Sequence, residues 1–581
     1  MRLRRFAPGV DQLVHYQKVW LRGDVVAGIT VAAYLIPQVM AYAELAGLPA
    51  VAGLWAVIGS MTVYALLGSS RQLSVGPEST TALMTATALA PLANGDAAHY
   101  AGLCAGLALI VGAIALVGFI ARLGFMADLL SKPVLVGYLA GVAVIMIAGQ
   151  LSKFSGVAVE GDNPLKQIWY FLTHLGDIHT PTLLMSLGVL VFLIVGSRLF
   201  PRMPMPLIAI LLGAGLVKLF DLGSTHGLAL VGSVPTGLPK PQLPGIQWSD
   251  FQALLLPAVG VTVVGYTDNA LTGRAFAERN KYAVDANQEL LALAGANAAA
   301  GLTRGFPVSS SGSRTVIGDS LGSKSQLFSL IAVFIVVLTL LFLGPVLETF
   351  PRAALAALVV WAATKLVDIP ELIRIGRFRS SELILALATT VAVLIVDILY
   401  GILVAIALSI LDLLRRVARP HDGVLGYAPG VAGMHDIDDY PDAKQVPGLL
   451  VYRYDSPLFF ANAENFKKRA LESIAEHGPI EWMLLNFEAN VQIDLTSFDA
   501  LGELLDELDE RGVKLALARV KHDMEQQLAR AGLVERIGTD HIFDTLPTAV
   551  QAYVRFYEAE HGEPPPGIVP PDPPEQPIIE T

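Results

Sequence analysis

Apolar stretches of roughly 17 to 25 residues, the length that crosses ~30 Å of hydrocarbon, recur along the first 415 positions of this 581-residue chain. The pattern predicts a polytopic α-helical membrane protein of fourteen segments. The first seven are Asp24–Ala43, Ala50–Leu67, a short one after Pro77, Tyr100–Ile120, Pro133–Gly149, Thr182–Phe200 and Pro206–Phe220. A stretch with Pro235, Pro239, Pro241 and Pro244 reads as a loop. The second seven are Leu254–Arg274, Asn287–Leu302, a short one after Pro307, Gln326–Leu343, Ala353–Val367, Glu382–Val396 and Ile398–Leu414. In each half the third segment is the broken one. Ser74-Val75-Gly76-Pro77-Glu78-Ser79-Thr80-Thr81 and Gly305-Phe306-Pro307-Val308-Ser309-Ser310-Ser311-Gly312-Ser313-Arg314-Thr315 each set a helix breaker and hydroxyls before a run too short to span. Interrupted segments at matching places in two halves point to a transporter's binding site, and an odd count per half makes the repeat inverted.

After Pro420 the period changes. Leu449–Tyr454, Trp482–Phe487 and Val513–Ala518 read as buried strands; Ala463–Glu476, Ser497–Glu510, Asp523–Ala531 and Pro547–Phe556 read as helices. Alternating strands and helices predict a small α/β domain. The expected organisation is an amino-terminal segment (1–23), a membrane domain (24–420), a linker (421–445), the α/β domain (446–558) and a Pro-rich disordered tail (559–581).

Charge sharpens this division. Residues 436–581 carry 28 acidic and 12 basic side chains, a net of −16, which leaves a net of +5 on the rest. The basic side reads as cytoplasmic loops: Arg2, Arg4, Arg5, Lys18 and Arg22 precede the first segment, and Arg415, Arg416 and Arg419 follow the last. Both termini are expected in the cytoplasm. No Lys/Arg patch interleaved with aromatics points to nucleic acid. The single cysteine, Cys104, excludes an internal disulfide or a Cys-based metal site, and no constellation for covalent catalysis is present.

The candidate chemistry sits on the interrupted segments and two long ones. Arg314, costly at mid-membrane, must pair, snorkel or serve an anion. Ser313 and its neighbours add hydroxyl donors, and a helix N-terminus adds N–H groups and positive potential. Ser79 and Thr80 stand at the matching place in the first half. Gln38 and Tyr42, four apart on segment one, present an amide and a phenol on one face. Asp268, at mid-depth, can hold a proton or, with Thr272 one turn on, a sodium ion; a fixed salt bridge to Arg314 is the structural alternative. Glu78 can cap the first half-helix or accept a proton. Asp285 with Gln288 reads as a variant capping box opening segment nine.

The runs Ile36-Pro37-Gln38-Val39-Met40-Ala41-Tyr42-Ala43, Ser74-Val75-Gly76-Pro77, Asp285-Ala286-Asn287-Gln288-Glu289-Leu290 and Phe306-Pro307-Val308-Ser309 through Ser313-Arg314-Thr315 resemble signatures of the sulfate permease (SulP) family of anion transporters. The carboxyl domain resembles that family's cytoplasmic STAS domain. The resemblance implies core and gate domains of seven-plus-seven inverted-repeat design, elevator-like movement and a homodimer in a cell membrane. It implies anion contacts at Gln38, Tyr42, the first half-helix and Ser313-Arg314. The expected activity is uptake of an inorganic oxyanion, sulfate, by proton symport. Sodium-coupled bicarbonate transport using Asp268 and Thr272, C4-dicarboxylate transport, or an uncoupled channel or exchanger are the alternatives on the same scaffold. No cofactor is expected. The STAS resemblance implies a possible cytoplasmic protein partner, and a phosphorylation loop at Asp494-Leu495-Thr496-Ser497, with Thr496 as the acceptor.

Overall fold

The computed structural model describes residues 6–566 other than 93–95, 129–130, 162, 201–202, 233–234, 236 and 397. The expected tail falls outside them from residue 567 on. The chain divides into two compact units, Met1–Ser409 and Ile410–Thr581.

The first unit is helical. Its helices are α1 (Leu21–Leu45), α2 (Val51–Leu67), α3 (Ser79–Leu89), α4 (Ala97–Ile120), α5 (Lys132–Ser155), α6 (Thr180–Leu199), α7 (Met205–Phe220), α8 (Trp248–Arg279), α9 (Ala286–Leu302), α10 (Gly312–Ser320), α11 (Leu327–Phe342), α12 (Arg352–Leu366), α13 (Ser380–Val396) and α14 (Ile398–Ala418), the last running on past residue 409. Among the described residues, six helical stretches are long and apolar enough to cross a bilayer and four more are shorter and apolar. Every predicted segment is found. Besides the shorter turns Pro8–Val14, Leu222–Thr225 and Gly344–Glu348, two ten-residue helices, Pro164–Thr173 and Ile369–Phe378, were not expected. Each is a short amphipathic stretch with proline at its first turn, and neither has the length that marks a span.

The helices sort into two bundles. In one, α9 packs against α2 and α4, α11 against α1 and α2, and α8 against α4. In the other, α5 packs against α12 and α13, and α6 against α12 and α7. Small residues allow the close approach, as expected where lipid removes the hydrophobic drive between helices. A Cβ on Gly53 would lie 2.0 Å from the Val39 carbonyl oxygen; one on Gly137 would lie 2.0 Å from that of Ala386.

Buried polar groups tie the first bundle further. Glu289 accepts hydrogen bonds from Tyr64 Oη (2.8 Å), Ser69 N (2.9 Å) and Ser69 Oγ (2.7 Å). Asp24 accepts from Ser325 Oγ and Lys324 N, both at 2.7 Å. Asp285 caps α9 through Asn287 N and Gln288 N. Gln288 does not close the expected capping box: its Nε2 donates to the Leu67 carbonyl at 2.7 Å, because the α2 C-terminus presents an open acceptor.

The second unit is an α/β layer. Its strands are β3 (Asp422–Tyr427), β4 (Met434–Asp436), β5 (Leu449–Tyr454), β6 (Trp482–Asn486), β7 (Lys514–Ala518) and β8 (Ile542–Phe543), in sheet order β4-β3-β5-β6-β7-β8. The run β5 to β8 is parallel, and β3 is antiparallel to β4 and β5. The helices are α15 (Ala463–Glu476), α16 (Leu495–Glu510), α17 (His522–Arg530) and α18 (Leu546–His561). Leu450, Tyr452 and Leu485 face a core with Phe466 and Leu501, while Leu449, Val451 and Trp482 face one with Tyr553. Burial on both faces explains why these strands are continuously apolar. The expected linker, 421–445, is corrected here: it contains β3 and β4, which the glycines of β3 and the three-residue length of β4 hid from the strand period.

Candidate functional site

Two short strands organise the membrane unit: β1 (Val75–Gly76) pairs antiparallel with β2 (Ser309–Ser310), with Val75 opposite Ser310 and Gly76 opposite Ser309. Each strand leads directly into a half-helix, β1 into α3 and β2 into α10. The pairing therefore brings two helix N-termini together, with Ser311 N donating to the Ser74 carbonyl at 2.9 Å. The Asn297 side chain holds β2 from behind. Its Oδ1 accepts from Val308 N at 2.9 Å and its Nδ2 donates to the Val308 carbonyl at 3.1 Å.

Beside the paired strands lies a cavity of ≈ 560 Å³. Of the candidate residues, Gln38, Tyr42, Glu78, Ser79, Thr80, Asp268 and Ser313 line it. Gln38 Nε2 donates to Tyr42 Oη at 3.0 Å, as their one-turn spacing predicts. Glu78 caps α3, accepting from Thr80 N and Ser79 Oγ, both at 2.7 Å. Asp268 Oδ2 accepts from Ser310 Oγ at 3.0 Å.

Arg314 departs from expectation. Its side chain is fully buried (0 % exposed) and does not line the cavity. Nη1 donates to Gln38 Oε1 at 3.1 Å and to the Pro77 carbonyl at 3.0 Å, and Nε to Ser74 Oγ at 3.3 Å. Nη2 has no hydrogen-bond partner. The guanidinium thus braces β1, the approach to α3 and the Gln38 amide from behind. The alternative salt bridge to Asp268 is not formed, because each group finds neutral partners nearer to hand. Thr272, one turn on from Asp268 in α8, is half-buried and is not among the cavity's lining residues. Thr496, in the second unit, is exposed at the first turn of α16, which Asp494 caps through Ser497 N at 2.9 Å.

Of the lining residues that the sequence did not single out, four bear most on the chemistry. Tyr34 stands one turn before Gln38, completing a stripe of Tyr34, Gln38 and Tyr42 at four-residue spacing that was legible in an otherwise apolar helix. Thr267 lines the cavity with an Oγ1 that has no partner. Trp361 and Lys365, one turn apart on α12, line it from the other bundle, with Lys365 Nζ 5.5 Å from the Trp361 ring centre. Among the described residues, Lys365 is the only Lys or Arg that lines the cavity.

The arrangement offers an oxyanion two helix N-termini, hydroxyls and an amide, with one ammonium at the wall. Two carboxylates share the same space. Among the described residues no group of three or more His, Cys, Asp or Glu side chains is placed to hold a metal.

The chain is similar to known proteins along most of its length. Residues 21–389 match the sulfate permease family and residues 440–549 the STAS domain. A probable sulfate transporter of Mycobacterium tuberculosis (strain CDC 1551 / Oshkosh), MT1781, is 56% identical over 551 residues, covering 95% of this chain and 98% of that protein. The chloroplastic sulfate transporter 4.1 of Arabidopsis thaliana is 32% identical, covering 93% and 81%. Among solved structures, the murine Solute Carrier 26 family member A9 anion transporter in the inward-facing state superposes with a TM-score of 0.86 at 23% identity, covering 94% of each chain. The transmembrane domain of the cyanobacterial bicarbonate transporter BicA gives 0.60 at 21% identity, covering 68% of this chain and 98% of that one. The chain is a member of the sulfate permease family of membrane transporters, with a STAS domain following its helical unit.

Proposed function

We propose that this protein carries sulfate into the cell together with a proton. The observation that carries this reading is the β1–β2 pairing, which sets the N-termini of α3 and α10 on one cavity also lined by Gln38, Tyr42 and Ser313. A tetrahedral oxyanion matches several convergent N–H and O–H donors. Asp268 and Glu78 supply groups that can carry a proton with it. The name of the Mycobacterium tuberculosis relative points the same way.

The transport step is alternating access, in which the bundle bearing the half-helices moves as a body against the other. The two halves act as an inverted repeat, two copies form a dimer in the cell membrane, and both termini face the cytoplasm. There the STAS domain is available to a protein partner and Thr496 to a kinase. The position of Thr272 away from the cavity weighs against the sodium-coupled bicarbonate alternative.

The test is uptake of radiolabelled sulfate into proteoliposomes at two pH values, with and without sodium, against bicarbonate and succinate as competitors. An inward proton gradient should accelerate uptake, sodium should not, and sulfate should compete best. Arg314→Ala should lower uptake by about 100-fold or more, since the brace behind both half-helices is lost. Full uptake by that variant, or a response to sodium alone, would overturn the assignment.

A further inference from the structure

The two half-helices meet at one cavity but present different ends to it. At α10 the flanking residue Ser311 makes no side-chain hydrogen bond to the helix; its Oγ lies 3.2 Å from Ser313 Oγ. At α3 the corresponding place is filled. Glu78 turns its own carboxylate onto the helix end, one oxygen on Thr80 N and the other on Ser79 Oγ. These are the donors an oxyanion would use, and Glu78, Ser79 and Thr80 all line the cavity. A carboxylate and a transported oxyanion are the same kind of acceptor.

The surroundings make simultaneous occupancy costly. Asp268 on α8 brings a second carboxyl group to the same cavity, and among the described residues Lys365 on α12 is the single cation in its lining. Tyr42 on α1, Tyr138 on α5, Asp268 and the Arg314 guanidinium on α10 all lie close enough to Glu78 to feel its charge. Adding an anion to an ionised Glu78 sets like charges side by side in a low-dielectric space. Thr267 also lines the cavity, and its Oγ1 is buried with no hydrogen-bond partner.

We propose that the Glu78 carboxylate is a tethered stand-in for the transported anion: while ionised it fills the end of α3, and its protonation yields Thr80 N–H and Ser79 Oγ to the incoming oxyanion. This rests on the anion-transport reading above and adds to it where the coupling proton sits. The proton enters with the anion from the same side and leaves when the carboxylate returns to its own helix. Asp268, held by Ser310 on β2, tunes the cavity and does not exchange places with the guest.

The experiment is sulfate binding to the purified full-length protein as a function of pH, for wild type and Glu78→Gln, which keeps an acceptor for Thr80 N–H and removes the charge. Wild-type affinity should rise about tenfold for each pH unit of acidification over the range in which one proton is taken up with the anion. Glu78→Gln should bind at every pH with a flat profile, and should exchange sulfate across proteoliposomes while failing to accumulate it against a gradient. Glu78→Asn, with a strongly preferred capping residue, should behave likewise if the glutamine variant does not fold. Wild-type protein in weakly buffered solution should take up about one proton per sulfate bound. A variant that keeps the wild-type pH slope, or a wild type that takes up no proton, overturns the role of Glu78 and leaves sulfate transport standing. A wild type that binds no sulfate at any pH overturns the reading beneath it.

Discussion

The two bundles of the membrane unit are both built from apolar helices, yet they are held together differently. The bundle with the half-helices contains buried polar cradles: Glu289 on Tyr64 and Ser69, Asp24 on Ser325, Gln326 Nε2 on the Ser70 and Leu73 carbonyls, Asn297 on Val308. The other bundle has lighter ties: Thr390 Oγ1 donates to the Gly137 carbonyl at 2.8 Å and Ser186 Oγ to the Ala353 carbonyl at 3.2 Å, with no carboxylate at either bond. Thr389 Oγ1 donates to the Leu385 carbonyl of its own helix, and its α6 exposes Leu184, Val191 and Val195. Directional bonds fix a shape, whereas apolar contacts permit sliding. A binding site assembled from two broken helices needs the first property, and a surface against which it moves needs the second.

This contrast can be broken most directly at Glu289. Glu289→Ala strands Tyr64 Oη and the Ser69 donors in the interior, at about 1–3 kcal/mol for each buried unsatisfied group. A total loss of ~3 kcal/mol or more is expected, seen as a lower unfolding temperature of the full-length protein in detergent. The same operation in the other bundle, Thr389→Val, should cost under ~1 kcal/mol, since its bond merely duplicates a helical carbonyl's existing partner. Equal losses at the two positions would dissolve the distinction.

Asn297→Leu is a smaller blow aimed at the site itself. The number of side-chain heavy atoms is kept, but the Val308 N–H and C=O each lose their side-chain partner, at ~2 kcal/mol. The β2 strand would then be free to shift, and sulfate uptake should fall by about tenfold while the protein remains folded. Unchanged uptake would show that the β1–β2 pairing alone positions α10.

What could be read from the chain follows from where the physics is local. The bilayer dictates segment length, so the spans and both breaks at Pro77 and Pro307 were legible. An arginine beside a break announced the site, but its orientation was not: Arg314 turns away from the cavity toward Gln38, Ser74 and Pro77, a choice set by tertiary neighbours. Thr272 shares a helix face with Asp268 in the sequence, yet α8 is rotated so that Thr267, Asp268 and Leu271 meet the cavity. Trp361 and Lys365 were invisible as site residues because only packing between bundles brings α12 there. In the second unit the apolar parallel strands declared themselves, while β3 and β4 did not: β4 is a three-residue edge strand and β3 is interrupted by Gly423 and Gly426.

The smallest effect is expected where the two bundles touch through charge. Glu44, near the end of α1, lies 3.5 Å from Lys153 Nζ on α5 and 3.7 Å from Arg352 Nε on α12, and Lys153 also donates to the Glu44 carbonyl at 3.1 Å. The bases are partly exposed, at 33% and 50%, so screening holds the pair energy to ~1 kcal/mol or less. If the bundles move relative to one another, this contact is made in one state and broken in another. Glu44→Gln should therefore shift the balance between states by about fivefold at most, with little change in unfolding temperature. The readout is the rate of sulfate exchange in proteoliposomes at low and high salt. Wild type should respond to salt and Glu44→Gln should not, because screening and substitution remove the same interaction. A salt response that survives the substitution would mean that this contact does not bias the motion, and that the two bundles are held in register by their apolar faces alone.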